Sequence, residues 1–247
     1  MILELKNICK SFGSIKVLNN INMEIDNKEC VGIIGPNGAG KSTLFNAIAG
    51  HIKHDIGNII YRNNNINNKS NEQRSRLGIV QSFQKNSMFP EMTVLESIML
   101  AISHKSNISF QIYKNLNSNR NIYNEAIEII NNIGLSNYSK SKSDLLSYGL
   151  QRQLEIGIAI SCSPALLLLD EPTAGMSPSE TKNIIQLIKN LSKNYTIIIV
   201  EHDMEVIFNL ANRIYVLDRG EIIFNGGSEE IKKSKLVQEK YLGVENV

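Results

Sequence analysis

Residues Gly35-Pro36-Asn37-Gly38-Ala39-Gly40-Lys41-Ser42-Thr43 match the spacing G-x-x-x-x-G-K-[ST] at every defined position. The apolar run Val31-Gly32-Ile33-Ile34 leads into them and reads as a buried strand. Leu44, Ala47 and Ile48 follow at helical spacing, and Gly50 is placed to stop the helix. In a strand–loop–helix unit of this kind, glycines let backbone N–H groups wrap a phosphate chain, and the helix N-terminus adds positive potential. The loop is therefore read as a nucleotide site rather than a structural glycine turn. Lys41 would reach the β- and γ-phosphates, the Ser42 hydroxyl would bind Mg²⁺, and Gly35, Asn37, Gly38, Ala39, Gly40 and Thr43 complete the cradle.

The chain has 247 residues, enough for one large or two modest domains. Its 26 basic and 24 acidic residues leave a net charge of +2, which makes no electrostatic case for nucleic acid or an anionic membrane. Cys9, Cys30 and Cys162 are widely spaced and odd in number, so they suggest neither a disulfide framework nor a metal site. They are read as buried thiols of a protein in a reducing compartment. The N-terminus alternates like a strand and lacks the apolar core of a signal peptide. No apolar run approaches the ~18 residues of a membrane span, so any membrane role is expected to be peripheral.

Strands are expected at Ile2 to Leu5, Ile21 to Ile25, Cys30 to Ile34, Asn58 to Tyr61 and Gly78 to Gln81. From about residue 84 to 160 the periodicity turns helical, as in Val94-Leu95-Ile98-Met99 and Ala126-Ile127-Ile130-Ile133, the latter stopped by Gly134. Strand–helix alternation then returns. Leu166-Leu167-Leu168-Leu169 and Thr196-Ile197-Ile198-Ile199-Val200 are unbroken apolar runs, as expected of parallel strands covered on both faces. Arg213 to Leu217 and Glu221 to Phe224 read as a hairpin, with two short helices after it. The expected class is α/β: a core over 1–83 and 161–247, with an N-terminal antiparallel β subdomain, and a helical subdomain over 84–160.

Two further stretches bear on the site. Asp170-Glu171 follow the leucine run at the C-terminal end of a buried strand, where α/β sheets bind ligands. Four leucines and two acids are weak on their own. Beside the phosphate loop, Asp170 reads as the Mg²⁺ carboxylate and Glu171 as the group that orients and deprotonates an attacking water. The second stretch, Leu146-Ser147-Tyr148-Gly149, opens a helix. Ser147 and the Gly149 N–H can be read as an ordinary N-cap with a nearby glycine. They can equally grip a phosphate, and since the local loop already holds one nucleotide, that phosphate would belong to a partner subunit's ATP.

With these residues in this order the chain resembles the ATP-binding cassette (ABC) ATPases over nearly its whole length. The resemblance implies that Phe12 stacks on adenine and that Gln84, in Ser82-Phe83-Gln84, senses Mg²⁺ and the γ-phosphate. It makes Leu146-Ser147-Tyr148-Gly149 the signature and His202, in Glu201-His202-Asp203, the switch histidine. The usual signature reads Leu-Ser-Gly-Gly-Gln; here Tyr148 replaces a glycine and Leu150 the glutamine. Ser177 stands where many members carry Asp, which puts the cross-subunit hydrogen bonds of that Asp in doubt. Tyr148-Gly149, Gln153-Leu154-Glu155-Ile156, Ala174-Gly175-Met176, Glu201-His202-Asp203-Met204 and the ending Tyr241-Leu242-Gly243 together resemble the ATPase subunits of branched-chain amino acid importers.

What the resemblance implies is an ATPase working as a head-to-tail pair with itself or a paralogue. It would lie on the cytoplasmic face of the inner membrane, soluble when isolated. Two transmembrane permease subunits would be bound directly and a periplasmic substrate-binding protein served indirectly, with no nucleic acid involved. Met88, Phe89 and Met92, next to Gln84, could receive a permease helix or pack within the helical region. A lipid or lipopolysaccharide exporter ATPase would share every catalytic residue. A soluble ABC protein is expected to carry two cassettes or long coiled coils, and a kinase would leave Ser147, Gln84 and His202 without a role.

Overall fold

The computed structural model describes residues 1–82, 90–105 and 120–234. Gln84, Met88, Phe89 and the Tyr241-Leu242-Gly243 ending lie outside the described residues.

Two sheets organise the chain. One is antiparallel, in the order β2 (Ile15–Ile25), β1 (Leu3–Phe12), β4 (Ile56–Tyr61), β5 (Asn64–Asn65). The other has six strands: β10 (Glu221–Gly226), β9 (Arg213–Asp218), β3 (Cys30–Ile34), β8 (Thr196–Val200), β7 (Leu166–Asp170) and β6 (Ile79–Gln81), in that spatial order. All its pairings are parallel except the β9–β10 hairpin.

The apolar runs of the six-stranded sheet divide by parity. Leu167, Leu169, Ile197, Ile199, Ile214 and Val216 face one core, which they share with α3 (Val94–Lys105), α4 (Arg120–Asn132), α5 (Tyr148–Ser161), α6 (Pro178–Leu191) and α7 (Met204–Leu210). Leu166, Leu168, Ile198, Val200, Tyr215 and Leu217 face a second core, built with α1 (Lys41–Ala49) and the inner face of the antiparallel sheet. A strand covered on both faces gains nothing from a polar residue at either parity, which is why these segments read as continuous hydrophobic runs. The three cysteines are free thiols. Burial pushes the Cys30 thiol up to about 12, helped by the nearby Glu29 charge. Cys9 and Cys162 are only partly buried, so the expectation of three buried thiols holds for Cys30 alone.

The structure extends the sequence reading in several places, β2 for one beginning at Ile15 rather than Ile21. β1 runs on past Leu5 to Phe12, with register shifts between Leu5 and Ile8, Ile8 and Lys10, and Lys10 and Ser11. These irregularities break the two-residue alternation while the pairing continues, so the pattern after Leu5 does not look like a strand. The helix α2 (Asn71–Arg76) carries no apolar period; its one legible mark is the capping box of Ser70 with Gln73. It delivers Arg74, which is 2% exposed. The guanidinium donates to the carbonyls of Ala47 (2.6 Å), Ile48 (2.9 Å), Ile66 (3.0 Å) and Lys69 (3.0 Å). Ala47 and Ile48 belong to the last turn of α1, whose carbonyls have no intrahelical donor and form the negative end of the helix dipole. Arg74 thus anchors the far end of the helix whose near end forms the glycine loop. Arg74→Met, similar in length but without donors, is expected to lower unfolding free energy by about 3 kcal/mol in a denaturant titration, because buried carbonyls lose their partners. A change under about 1 kcal/mol would show that the contacts are incidental.

Candidate active site

The phosphate-type loop leaves the C-terminal end of β3 and enters α1 through Gly40, at φ 103°. A Cβ there would lie 2.8 Å from the Val17 carbonyl oxygen, so glycine is required by both backbone angle and space. Gly38 is also left-handed, at φ 80°, but its Cβ position is open. The loop is held from outside: the Gly220 N–H, in the β9–β10 turn, donates to the Ala39 carbonyl at 2.9 Å, and Asn19 of β2 donates to Gly220 at 2.7 Å. Lys41 is 5% exposed and its ammonium folds back onto the carbonyls of Gly35 (2.6 Å) and Pro36 (3.0 Å). Burial draws its pKa down; the Glu171 and Asp170 charges oppose that. Asn37, Gly38 and Ser42 are exposed, Thr43 partly so, and the amides of the first turn of α1 lack intrahelical acceptors as in any helix. Phe12 ends β1 half-exposed, with the Lys10 ammonium 5.2 Å from its ring centroid.

β8 lies between β3 and β7, and this adjacency brings the acids to the loop. Asp170 pairs in register with Val200, and the Glu171 N–H donates to the Val200 carbonyl at 2.8 Å. His202, two residues past the end of β8, places Nε2 2.6 Å from Glu171 Oε1, with both side chains partly exposed. Burial raises the pKa of Asp170, as does the Glu171 charge beside it, while Arg152, His202 and Lys41 act in the opposite direction. Glu201, one residue before His202, is buried and accepts from Thr173 N–H (2.8 Å) and Oγ1 (2.7 Å). Its pKa is raised by burial, and the Thr173 donors restrain the rise. Among the described residues no group of three His, Cys, Asp or Glu side chains forms a metal cluster. A hydroxyl and a carboxylate at the mouth of a phosphate loop are hard oxygen donors, and they fit Mg²⁺, which keeps waters and phosphate oxygens as its other ligands.

Ser147 occupies the N-cap position of α5, yet its side chain makes no capping bond. The Gly149 N–H donates instead to Glu180 Oε1 at 3.1 Å, and a Cβ on residue 149 would come within 2.8 Å of that side chain. Glu180 belongs to the capping box of α6, whose N-cap is Ser177. The other carboxylate oxygen, Oε2, accepts from the Ser177 N–H at 3.0 Å and its hydroxyl at 2.7 Å. Ser177, at the position where many members of the resembled family carry Asp, is therefore engaged in starting its own helix.

The profile of the family described as ABC transporter matches residues 18–174. The chain belongs to the ABC transporter family. It is 36% identical to the high-affinity branched-chain amino acid transport ATP-binding protein LivG of Escherichia coli K12, over 98% of both chains. It is 34% identical to the probable LivG of Methanocaldococcus jannaschii, over 98% of this chain and 97% of that one. Among solved structures it superposes on the ADP conformation of MJ1267, an ATP-binding cassette of an ABC transporter, with a TM-score of 0.85, 34% identity and 98% coverage of each chain. The dimeric cassette MJ0796 matches with a TM-score of 0.78 and 27% identity, over 92% of this chain and 99% of that one. The expected fold and the resemblance to branched-chain amino acid importer ATPases are thereby borne out.

In this ABC cassette the structure gathers Lys41, Asp170, Glu171 and His202 at the C-terminal edge of one sheet, while the Gly149 N–H turns to Glu180 of α6. Sequence reasoning assigned no role to Arg152, Glu180 or Glu201. The Ser177-x-x-Glu180 spacing is a readable capping box, but Glu201 and Arg152 carry no local signal beyond being charges in apolar surroundings. The loop geometry yields a paired expectation. Gly38→Ala bears only left-handed strain, about 1–2 kcal/mol, whereas Gly40→Ala adds a backbone clash and is expected to be clearly more destabilising in chemical denaturation. Equal losses would contradict the assigned packing against Val17.

Proposed function

We propose that this chain binds Mg-ATP and hydrolyses it as the motor subunit of an importer for branched-chain amino acids or related small amides. The observation that carries the reading is the 2.6 Å contact between His202 and Glu171 at the strand ends that also hold Asp170 and the lysine loop. In this mechanism the glycine loop amides and Lys41 hold the phosphates, and the exposed Phe12 ring takes the adenine. Glu171 accepts a proton from the water that attacks the γ-phosphorus, and His202 aims the Glu171 carboxylate and offsets developing negative charge. Ser42 and Asp170 would hold Mg²⁺, which neutralises phosphate charge when bound. Gln84 is assigned the sensing of that region by resemblance. Ser147 and Gly149 complete the site of a second cassette, itself or a paralogue, in a head-to-tail pair, and Gly149 exchanges its Glu180 contact for a phosphate as the pair closes.

No helix among the described residues is long and apolar enough to cross a membrane. The proposed location is the cytoplasmic face of the inner membrane, held by two permease subunits, with a periplasmic binding protein delivering the cargo. The names of the similar proteins and the dimer seen for MJ0796 support this arrangement. Lys41→Ala is expected to weaken ATP binding and abolish turnover. Glu171→Gln should retain binding, slow hydrolysis at least ~100-fold and accumulate an ATP-bound dimer by light scattering. Unaltered hydrolysis in either variant, or a monomer at saturating Mg-ATP, contradicts the reading. Co-purification from native membranes with two polytopic permeases and an amino-acid binder is the expected outcome for an importer; a lipid-export permease pair would reassign it.

A further inference from the structure

Glu171 has φ 43°. A residue with a Cβ is strained there, and such strain persists only where the surroundings hold the backbone from several sides. Several contacts hold this turn. The Glu171 N–H donates to Val200, and both Thr173 donors reach the buried Glu201 carboxylate. On the carbonyl side the Ala174 N–H donates to the Glu171 carbonyl at 3.2 Å, and a guanidinium from a different helix joins it. Arg152 Nη2 donates to the carbonyls of Asp170 and Glu171 (3.1 Å for the latter), and Nε donates to Pro172 at 3.4 Å. Nη1 pairs with Glu155 Oε2 at 2.6 Å, with both side chains under a tenth exposed. Glu155 neutralises the buried cation and orients its plane, so that the remaining edge of the fork spans three consecutive carbonyls.

We propose that Arg152 is a positioning residue for Glu171. It lies on α5, within one turn of Gly149 and five residues after Ser147, so it also links the signature helix, which serves the partner's ATP, to the carboxylate that serves its own. This link rests on the head-to-tail reading above. A shift of α5 as the partner's phosphate engages Gly149 is transmitted to the Glu171 backbone through a rigid planar group. A lysine could keep a charge beside Glu155 but could not span the carbonyls.

The test is Arg152→Lys in the full chain, alone and in the Glu171→Gln background. Alone, it is expected to leave fluorescent-ATP affinity and KM within about 2-fold of wild type and to lower kcat by 10- to 100-fold, the scale of a misplaced reactive group. Where Gln replaces Glu171, the same change should leave the residual rate within about 2-fold, because it acts through a carboxylate already lost. The double variant Arg152→Leu/Glu155→Leu removes the buried pair together, avoids an unpaired charge and should reproduce the kcat loss. An unchanged kcat in both variants, or an equal fractional loss in the Glu171→Gln background, overturns the proposal while the ATPase reading stands. If Glu171→Gln itself neither slows hydrolysis nor traps a dimer, the underlying reading has failed and the inference falls with it.

Discussion

A parallel sheet covered by apolar layers on both faces can present chemistry only at the ends of its strands. In this chain β3, β8 and β7 are neighbours, so residues near 35–43, 170–171 and 202 meet at one edge although the sequence separates them widely. The first core, with α3–α7, and the second, with α1 and the antiparallel sheet, leave that edge as the place where backbone donors and charged side chains can remain functional. Everything in the proposed catalysis depends on this register, because a one-residue slip of β7 would turn Asp170 to the opposite face.

The charges at that edge are mutually dependent. Asp170 is half-buried beside Glu171, and burial resists its ionisation; Lys41, His202 and Arg152 supply the compensating positive potential. The same two acids help keep the buried Lys41 charged. Such a cluster is poised to take a polyanion together with a small hard cation, since each addition relieves an unfavourable term already present. The 170–173 turn is held on its carbonyl side by Arg152 and on its donor side by Glu201, so the strained Glu171 backbone is braced by two buried charges from different elements.

The strands that position the site were legible because they are buried on both faces: Leu166 to Leu169 and Ile197 to Val200 have no polar position to confuse the pattern. The glycine loop was legible because phosphate wrapping demands fixed spacing. The second half of β1 was hidden by its irregular register, and α2 by having no apolar face, its buried member being an arginine. Arg74 and Arg152 act on carbonyls of distant segments, a relation that composition and periodicity do not encode. Ser147 was read both as a helix cap and as a phosphate grip. It holds the N-cap position, but within the chain the Gly149 donor is satisfied by Glu180.

By itself the sequence determined the α/β class, the phosphate loop, the pair of acids after a buried strand and the order of motifs along the chain. The first three are local patterns, set by burial or by the fixed spacing that phosphate wrapping requires. Tertiary structure alone decided that His202 touches Glu171, that Glu171 adopts a left-handed backbone, and that one arginine on α5 holds the carbonyls of Asp170, Glu171 and Pro172. Those relations arise from strand order and helix placement, which bring together groups with no fixed separation in sequence.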